Sequence, residues 1–227
     1  MPRTVNPRAY GLRREAFLDV AQRLIQTKGY EAMSIQDVLD ALQTSRGALY
    51  HYFDSKQGLL EGVVERLVNG ALGSLAPVLH DACLPAPRKL ELAFSGLARW
   101  KAGQKDLVLA LIPIWQSDAN AIVREKVRRL AVSRFVPLLA GIIRQGIDEG
   151  VFTASSAEGT AMAINALLQG MQDWALSAFV ERQQGLSSFE EVRRIAASLT
   201  ESLERVLGAE LGSLTLMDEP TLRFWYG

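Results

Sequence analysis

Nine consecutive residues, Thr44-Ser45-Arg46-Gly47-Ala48-Leu49-Tyr50-His51-Tyr52, gather an arginine, two hydroxyl side chains, two tyrosines and a histidine around one aliphatic residue, with Phe53 just after. These are hydrogen-bonding and stacking groups of the kind that meet bases, sugars and phosphates. On a helix anchored to a core through Leu49 and Phe53, the side chains of Ser45, Arg46, Tyr50 and His51 project outward. A surface helix without a partner rarely turns several aromatic rings to water. The inventory for an enzyme is thin by comparison. The chain has two histidines and one cysteine, Cys83, and no glycine-rich phosphate loop, nucleophile elbow or paired-carboxylate signature. No catalytic residue, cofactor or metal site is therefore expected, and a lone cysteine excludes an intrachain disulfide.

Positioning those side chains falls to the flanking elements. Apolar spacing predicts a helix from about Leu12 to Lys28, with Phe17, Val20, Ala21, Leu24 and Ile25 on one face and Gly29 as a left-handed cap. A second, shorter helix opens at Ser34, with Asp37 three residues on and Ile35, Val38, Leu39 and Leu42 as its buried stripe. A third runs from Thr44 or Ser45 to about Tyr52. Asp54 or Ser55 caps a fourth, which contains Leu59, Leu60, Val63, Val64 and Leu67. Two short helices joined by three or four residues behind a longer support form a helix-turn-helix, whose second helix fits the major groove.

Further along, Pro77, Pro85 and Pro87 are expected to break the chain, with a helix restarting near Arg88. Helices follow at about Lys105–Gln116 and at about Asn120–Glu149, the latter bent near Pro137 and stopped by Gly150. Ser155 with Glu158, and Ser187 with Glu190, read as capping boxes for the last two helices. Residues 208–227 show little helical pattern, although Phe224, Trp225 and Tyr226 are expected to dock on the body or a partner copy. The reading is all-α, with about nine helices. Hydrophobic residues at 48% and charged residues at 22% suit a globular protein. Net charge is zero, though residues 1–60 hold eight Lys and Arg against six Asp and Glu. No signal peptide or membrane-spanning run stands out, so a cytoplasmic location without a membrane partner is expected.

The stretch from Ser34 to Leu39 and that from Arg46 to Leu60, above all the Leu-Tyr-X-X-Phe-X-X-Lys-X-X-Leu-Leu run at Leu49–Leu60, resemble the DNA-binding signature of the TetR family. The resemblance implies a helix-turn-helix domain over 1–54, an effector-binding and dimerisation domain over 55–208 and a tail over 209–227. It implies a transcriptional regulator whose partners are a double-stranded DNA operator, a second copy of itself and a small effector. Such a protein is a repressor released from a palindromic operator by an apolar or amphipathic ligand.

The resemblance also assigns roles. Arg46 is placed to read a guanine edge, because its fork pairs with O6 and N7. Ser45, Gly47, Ala48 and His51 lie against bases or sugars. Thr44, Tyr50 and Tyr52 suit phosphate, as does Lys56 at the start of the fourth helix. Ser34 and Gln36 contact the backbone or a flanking base. Arg3, Arg8, Arg13 and Arg14 form a basic arm, expected to be solvated. The last two helices, about 156–182 and 188–207, form a four-helix bundle with their copies through Ala161, Ala166, Gly170, Val192, Ile195, Leu199 and Leu203. An effector pocket draws on Phe94, Trp100, Leu109, Trp115, Gln116, Phe135, Met162, Asn165, Gln169 and Trp174.

One departure stands out: the family's usual glycine and bulky aliphatic at the turn are replaced by Gln43 and Thr44. A non-glycine residue with positive φ costs roughly 1 kcal/mol, so the turn is expected to be strained. That departure leaves open a helical interaction protein with a degenerate head.

Overall fold

A computed structural model describes residues 7–227, and among these all regular structure is helical. In chain order the elements are α1 (Pro7–Lys28), α2 (Ile35–Leu42), α3 (Arg46–Tyr50), α4 (Lys56–Leu79), α5 (Ala86–Gly103), α6 (Lys105–Gln116), a 3₁₀ turn (Asp118–Asn120), α7 (Ala121–Asp148), α8 (Ala157–Gln183), α9 (Phe189–Leu207) and α10 (Glu219–Tyr226). The fold class is as expected, but the described residues form ten α-helices rather than nine.

The differences have local causes. The tenth helix, α10, is capped by Asp218, which accepts from the Thr221 amide at 2.9 Å, and carries Pro220 in its first turn. Its eight residues are too few to show a helical period in sequence. The last two long helices start one residue later than expected, because paired serines make the cap ambiguous. Ser156 accepts from the Gly159 amide at 3.1 Å, so Glu158 completes no capping box. Ser188 accepts from the Glu191 amide at 3.2 Å, and Glu191 rather than Glu190 returns the bond. Pro77 does not break α4; it removes one i→i−4 bond, to the Gly73 carbonyl, but lies in the final turn, with only Val78 and Leu79 of the helix after it. Arg3, the first residue of the expected basic arm, lies outside the described residues.

The chain divides into two compact units. The first takes the residues up to Gly70 together with Gln104–Leu130. Its core joins Phe17, Leu18 and Ile25 of α1, Val38 and Leu39 of α2, Leu49 of α3 and Leu59, Leu60 and Val63 of α4 to Leu107 and Leu111 of α6. The head is therefore not closed by its first four helices alone, since α6 packs on α1. The second unit takes Ala71–Gly103 and Ala131–Gly227, with Leu90, Ile142, Ile143, Phe152, Ala161, Leu203 and Leu207 at its centre. Helices α4 and α7 contribute to both units. By length and hydropathy alone, the stretch Asp118–Asp148 could cross a membrane, a property the sequence reading had not assigned to any segment. Its apolar residues are shared between the cores, Val123 and Val127 in the first and Leu139, Ile142 and Ile143 in the second.

Of the three C-terminal aromatics expected to dock, Tyr226 does so within the second unit, whereas Phe224 is exposed and packs edge-on against Trp225. Tyr226 stacks on Trp174 at 6.4 Å and donates its hydroxyl to the Ala175 carbonyl at 3.2 Å. The Arg182 Nε donates to the Tyr226 carbonyl at 2.9 Å, and burial pushes the Tyr226 phenol up to about 12. Leu222 closes a small cluster with Ala178, Val192 and Ala196. Buried Glu204 of α9 accepts from the Gly212 and Leu214 amides, both at 2.9 Å, and so fixes the segment leading into α10. Truncating Leu222 to Ala leaves a void under α10 and is expected to cost about 2–4 kcal/mol. Calorimetry should then record a melting temperature several degrees lower, whereas an unchanged value would mean that α10 rests loosely on the body.

Candidate nucleic-acid interface

Helix α2 is set by its ends. The Ser34 hydroxyl accepts from the Asp37 amide at 3.1 Å, and the Asp37 carboxylate accepts from the Ser34 amide at 2.7 Å. Lys28, in the last turn of α1, donates to the same carboxylate at 2.8 Å. With Lys28 and Ser34 donating to it, the Asp37 carboxyl is held down at about 2. At the other end, Gln43 adopts φ 48° and ψ 50°, the single positive φ outside glycine among the described residues. Its amide donates to the Asp40 carbonyl at 3.2 Å, and the Thr44 amide donates to the Leu39 carbonyl at 3.0 Å. These two bonds form a Schellman turn, normally built on glycine. The expected strain is therefore localised at Gln43.

The turn delivers α3, which has only five residues. Ser45 caps it, its hydroxyl accepting from the Ala48 amide at 3.3 Å. Leu49 is fully buried and Phe53 nearly so, which pins one side of the segment to the core. Close approach of α4 behind them depends on Gly62, because a Cβ there would stand 2.8 Å from both Leu18 and Phe53 side chains. Helix α1 then holds both ends of α3. The Arg13 guanidinium donates to the Thr44 hydroxyl at 2.9 Å at the entrance. At the exit, the Tyr10 hydroxyl donates to the His51 carbonyl at 3.3 Å, and the Tyr10 and Tyr52 rings lie 4.5 Å apart.

What remains outward is Ser45, Arg46, Gly47, Tyr50 and His51, with Tyr50 51% exposed. Ala48 and Thr44 are half-buried beside them. Among the described residues Arg46 has no hydrogen bond or ion pair. The exposed set thus offers a guanidinium fork, a phenol and an imidazole on one short element, held by a rigid backing. Such groups can bond base edges and phosphates at van der Waals range.

Other expected contacts have intramolecular uses. Tyr52 packs its ring between Tyr10 and Phe17, the latter at 5.5 Å. Lys56 donates to the Glu31 carbonyl at 3.0 Å and lies 4.4 Å over the Tyr30 ring. The Lys56 ammonium, expected to meet phosphate, thus has intramolecular partners at the start of α4. Ser34 spends its hydroxyl in the α2 cap, while exposed Gln36 donates to Asp40 at 2.7 Å. Tyr10 and the clamp role of Arg13 were missed in the sequence reading. They lie seven and four residues before Phe17; Arg13 falls inside the expected helix on the side of Phe17, and extending α1 by one turn adds Tyr10 to the same side.

The body residues do not converge. Phe94 and Phe135 line a narrow apolar slot in the second unit with Leu75, Leu79, Leu90 and Ile142. Trp100 is half-buried on α5, Asn165 and Gln169 are half-buried on α8, and Met162 is exposed. Trp174 belongs to the α10 cluster. Leu109, Trp115 and Gln116 lie on α6 in the first unit, where Trp115 packs against the core and Gln116 is exposed. Of the residues expected to pair two copies, Ala161, Val192 and Leu203 are buried within the chain, and their side chains are unavailable to a partner. Ala166, Gly170 and Ile195 are exposed and Leu199 half-exposed. The reason is that α8 and α9 pack on each other, which consumes their inward faces. A polar cleft of about 330 Å³ between α5 and the C-terminal segment, lined by Arg88, Ser95, Arg99 and Asp218 among others, was not foreseen.

Residues 17–63 match the family model described as bacterial regulatory proteins, tetR family. The HTH-type transcriptional repressor KstR2 of Rhodococcus jostii (strain RHA1) is 25% identical over 143 residues, 62% of this chain and 68% of that protein. The HTH-type transcriptional repressor DhaR of Mycobacterium sp. (strain GP1) is 22% identical over 117 residues, 52% of this chain and 59% of its own length. A TetR transcription regulator from Haloarcula marismortui ATCC 43049 superposes with a TM-score of 0.62 over 88% of this chain and 99% of the other, at 22% identity, which supports the fold alone.

Two outcomes follow from the turn and the cap. Gln43→Gly relieves the left-handed strain and should stabilise the head by about 0.5–1 kcal/mol after the glycine's own entropic cost; a lower melting temperature would mean that the glutamine side chain is needed there. For Asp37 the folded pKa lies below its ordinary 3.8, so its contribution is in place above about pH 4 and lost as pH falls towards 2. In acid titrations followed by circular dichroism, Asp37→Asn should remove part of the stability lost over that window; identical titrations would contradict the assignment.

Proposed function

Because residues 17–63 match the model of the tetR family of bacterial regulatory proteins, we propose that the chain is a cytoplasmic transcriptional repressor that grips a palindromic operator as a homodimer and releases it on binding a small apolar or amphipathic effector. The observation that carries this reading is the exposed, unpartnered Arg46 on a helix whose opposite side is locked by Leu49. Arg46 reads a guanine through O6 and N7, with Gly47 and Ala48 small enough for close approach. Tyr50, His51 and Thr44 position the head on sugar and phosphate. Lys56 serves first as a brace for α4 and only secondarily as a phosphate contact.

A single head makes too few contacts for selective binding at physiological salt, so two heads act together on half-sites about 34–36 Å apart, or a multiple of that. Pairing uses what α8 and α9 leave exposed: Met162, Ala166 and Gly170 at i, i+4 and i+8, with Ile195 and Leu199 opposite. Small residues there permit close helix approach. An effector acts by favouring a head separation that no longer matches the half-sites, and α4, which runs unbroken from Lys56 to Leu79, is the element that carries the change.

Operator selection from a random duplex pool, followed by salt titration, tests the reading. Wild type should enrich a palindrome and lose affinity steeply with salt. Arg46→Ala should cost about 1–3 kcal/mol and relax discrimination at one base pair in each half-site. A variant that binds and discriminates like wild type would remove Arg46 from the interface, and a chain indifferent to every duplex would favour a helical interaction protein instead.

A further inference from the structure

Helix α5 separates two environments. Leu90, Ala93 and Phe94 line the narrow apolar slot, whereas Arg88, Glu91, Ser95 and Arg99 stand on the opposite side, at i, i+3, i+7 and i+11. That side forms one wall of the polar cleft of about 330 Å³, a volume within the usual range for a small-molecule site. Thr215 and Asp218 belong to the other wall. Neither DNA contact nor the pairing of copies uses this cleft.

The second wall is held in place by the chain itself. Leu214, Leu216 and Leu222 are buried, and the Glu204 carboxylate takes the Gly212 and Leu214 amides. The Thr215 amide donates across to Glu91 Oε1 at 3.0 Å, while Glu91 Oε2 receives Arg88 at 2.9 Å, so both oxygens of Glu91 are used. Asp218 caps α10, and bonds from the Thr221 side chain and amide, with a smaller pull from the Arg99 charge, hold its carboxyl below the ordinary range. Arg99 differs. It is exposed, and among the described residues it has neither a hydrogen bond nor an ion pair. The Thr215 hydroxyl has no hydrogen bond among them either, and Ser95 spends only its proton, on the Leu92 carbonyl at 3.3 Å. An exposed arginine is ordinary by itself; here its fork shares a walled cleft with two hydroxyl oxygens and with carboxylates that are already taken.

We propose that the cleft binds a small hydroxylated monocarboxylate, with its carboxylate on the Arg99 fork and its hydroxyls on Ser95 and Thr215. A planar carboxylate accepts two parallel bonds from a guanidinium. Ser95 lies four residues before Arg99, a rise of about 6 Å, which suits a hydroxyl three or four carbons from the carboxylate. Charge narrows the class. Two guanidiniums and two carboxylates line the cleft, so one added negative charge is accommodated and a second is repelled by Glu91 and Asp218. An apolar chain gains little, because Leu92 and Leu216 are the aliphatic residues of an otherwise polar lining. Once bound, the ligand ties α5 to the segment that carries α10, which itself packs on α8 and α9.

Isothermal titration of the full chain at neutral pH, with gluconate, sorbitol and hexanoate as probes, tests this. Wild type should bind gluconate about tenfold more tightly than sorbitol, which keeps the hydroxyls without the charge, the ratio expected of one charge-assisted contact. It should prefer gluconate by a similar factor over hexanoate, which keeps the charge without the hydroxyls. Arg99→Gln should bring gluconate down to the level of sorbitol. Ser95→Ala, a second and milder variant, should weaken gluconate about threefold to tenfold and leave hexanoate unchanged. A wild type that binds none of the three, or all of them equally, overturns the inference, as does an Arg99→Gln or Ser95→Ala chain that binds gluconate like wild type. DNA is absent throughout, so the outcome is independent of whether the chain reads a duplex.

Discussion

A helix of five residues cannot sustain itself, because nucleation fixes several backbone dihedrals for very few hydrogen bonds. Helix α3 exists because the Leu49 side chain is enclosed by the first core and because α1 reaches both of its ends. Everything that the head presents to a partner depends on that enclosure. If Leu49 were free, Arg46 and Tyr50 would be two mobile side chains on a loop. With it buried, they occupy fixed positions on a surface backed by Phe17, Phe53 and Leu59. The unusual Gln43 turn is tolerated for the same reason: the surrounding contacts over-determine the backbone, so local strain of about 1 kcal/mol persists.

The head is also less self-contained than its motif suggests. Leu107 and Leu111 of α6, with Val123 and Val127 of α7, complete the core on which α1 rests. On the α4 side, Arg66 ties back to Asp19 at 2.7 Å and Gln22 at 2.5 Å on α1, while Glu61 holds Lys126 of α7 at 2.7 Å. These exposed or half-exposed pairs contribute little energy individually, but several on one framework resist sliding of α1 against α4.

Much of this was legible in the residues themselves. Periodicity and caps gave the course of α1, α2 and α6, and the outward set on α3 followed from Leu49 and Phe53 as anchors. Where the signals failed, the physics explains it. Adjacent serines at 155–156 and 187–188 offer equivalent caps, so only tertiary packing chooses between them. Helix α10 is too short to declare a period, and its stability comes from Trp174, Ala178 and Val192, far away in sequence. The aromatics of the body were harder still. A tryptophan that fills a core and one that lines a pocket look alike in sequence, and Trp115 and Trp174 proved to have packing partners of their own.

The head separates the residues that hold it together from those it displays. Leu49, Phe53 and Gly62 face inward and tolerate little change, and Ser45 is held to its cap, while Arg46, Gly47, Tyr50 and His51 face outward and bear almost none of the packing. Substitutions at the displayed positions thus alter what is touched without threatening the scaffold. A surface built this way can change its chemistry at small thermodynamic risk, because the positions free to vary are not those that carry the core.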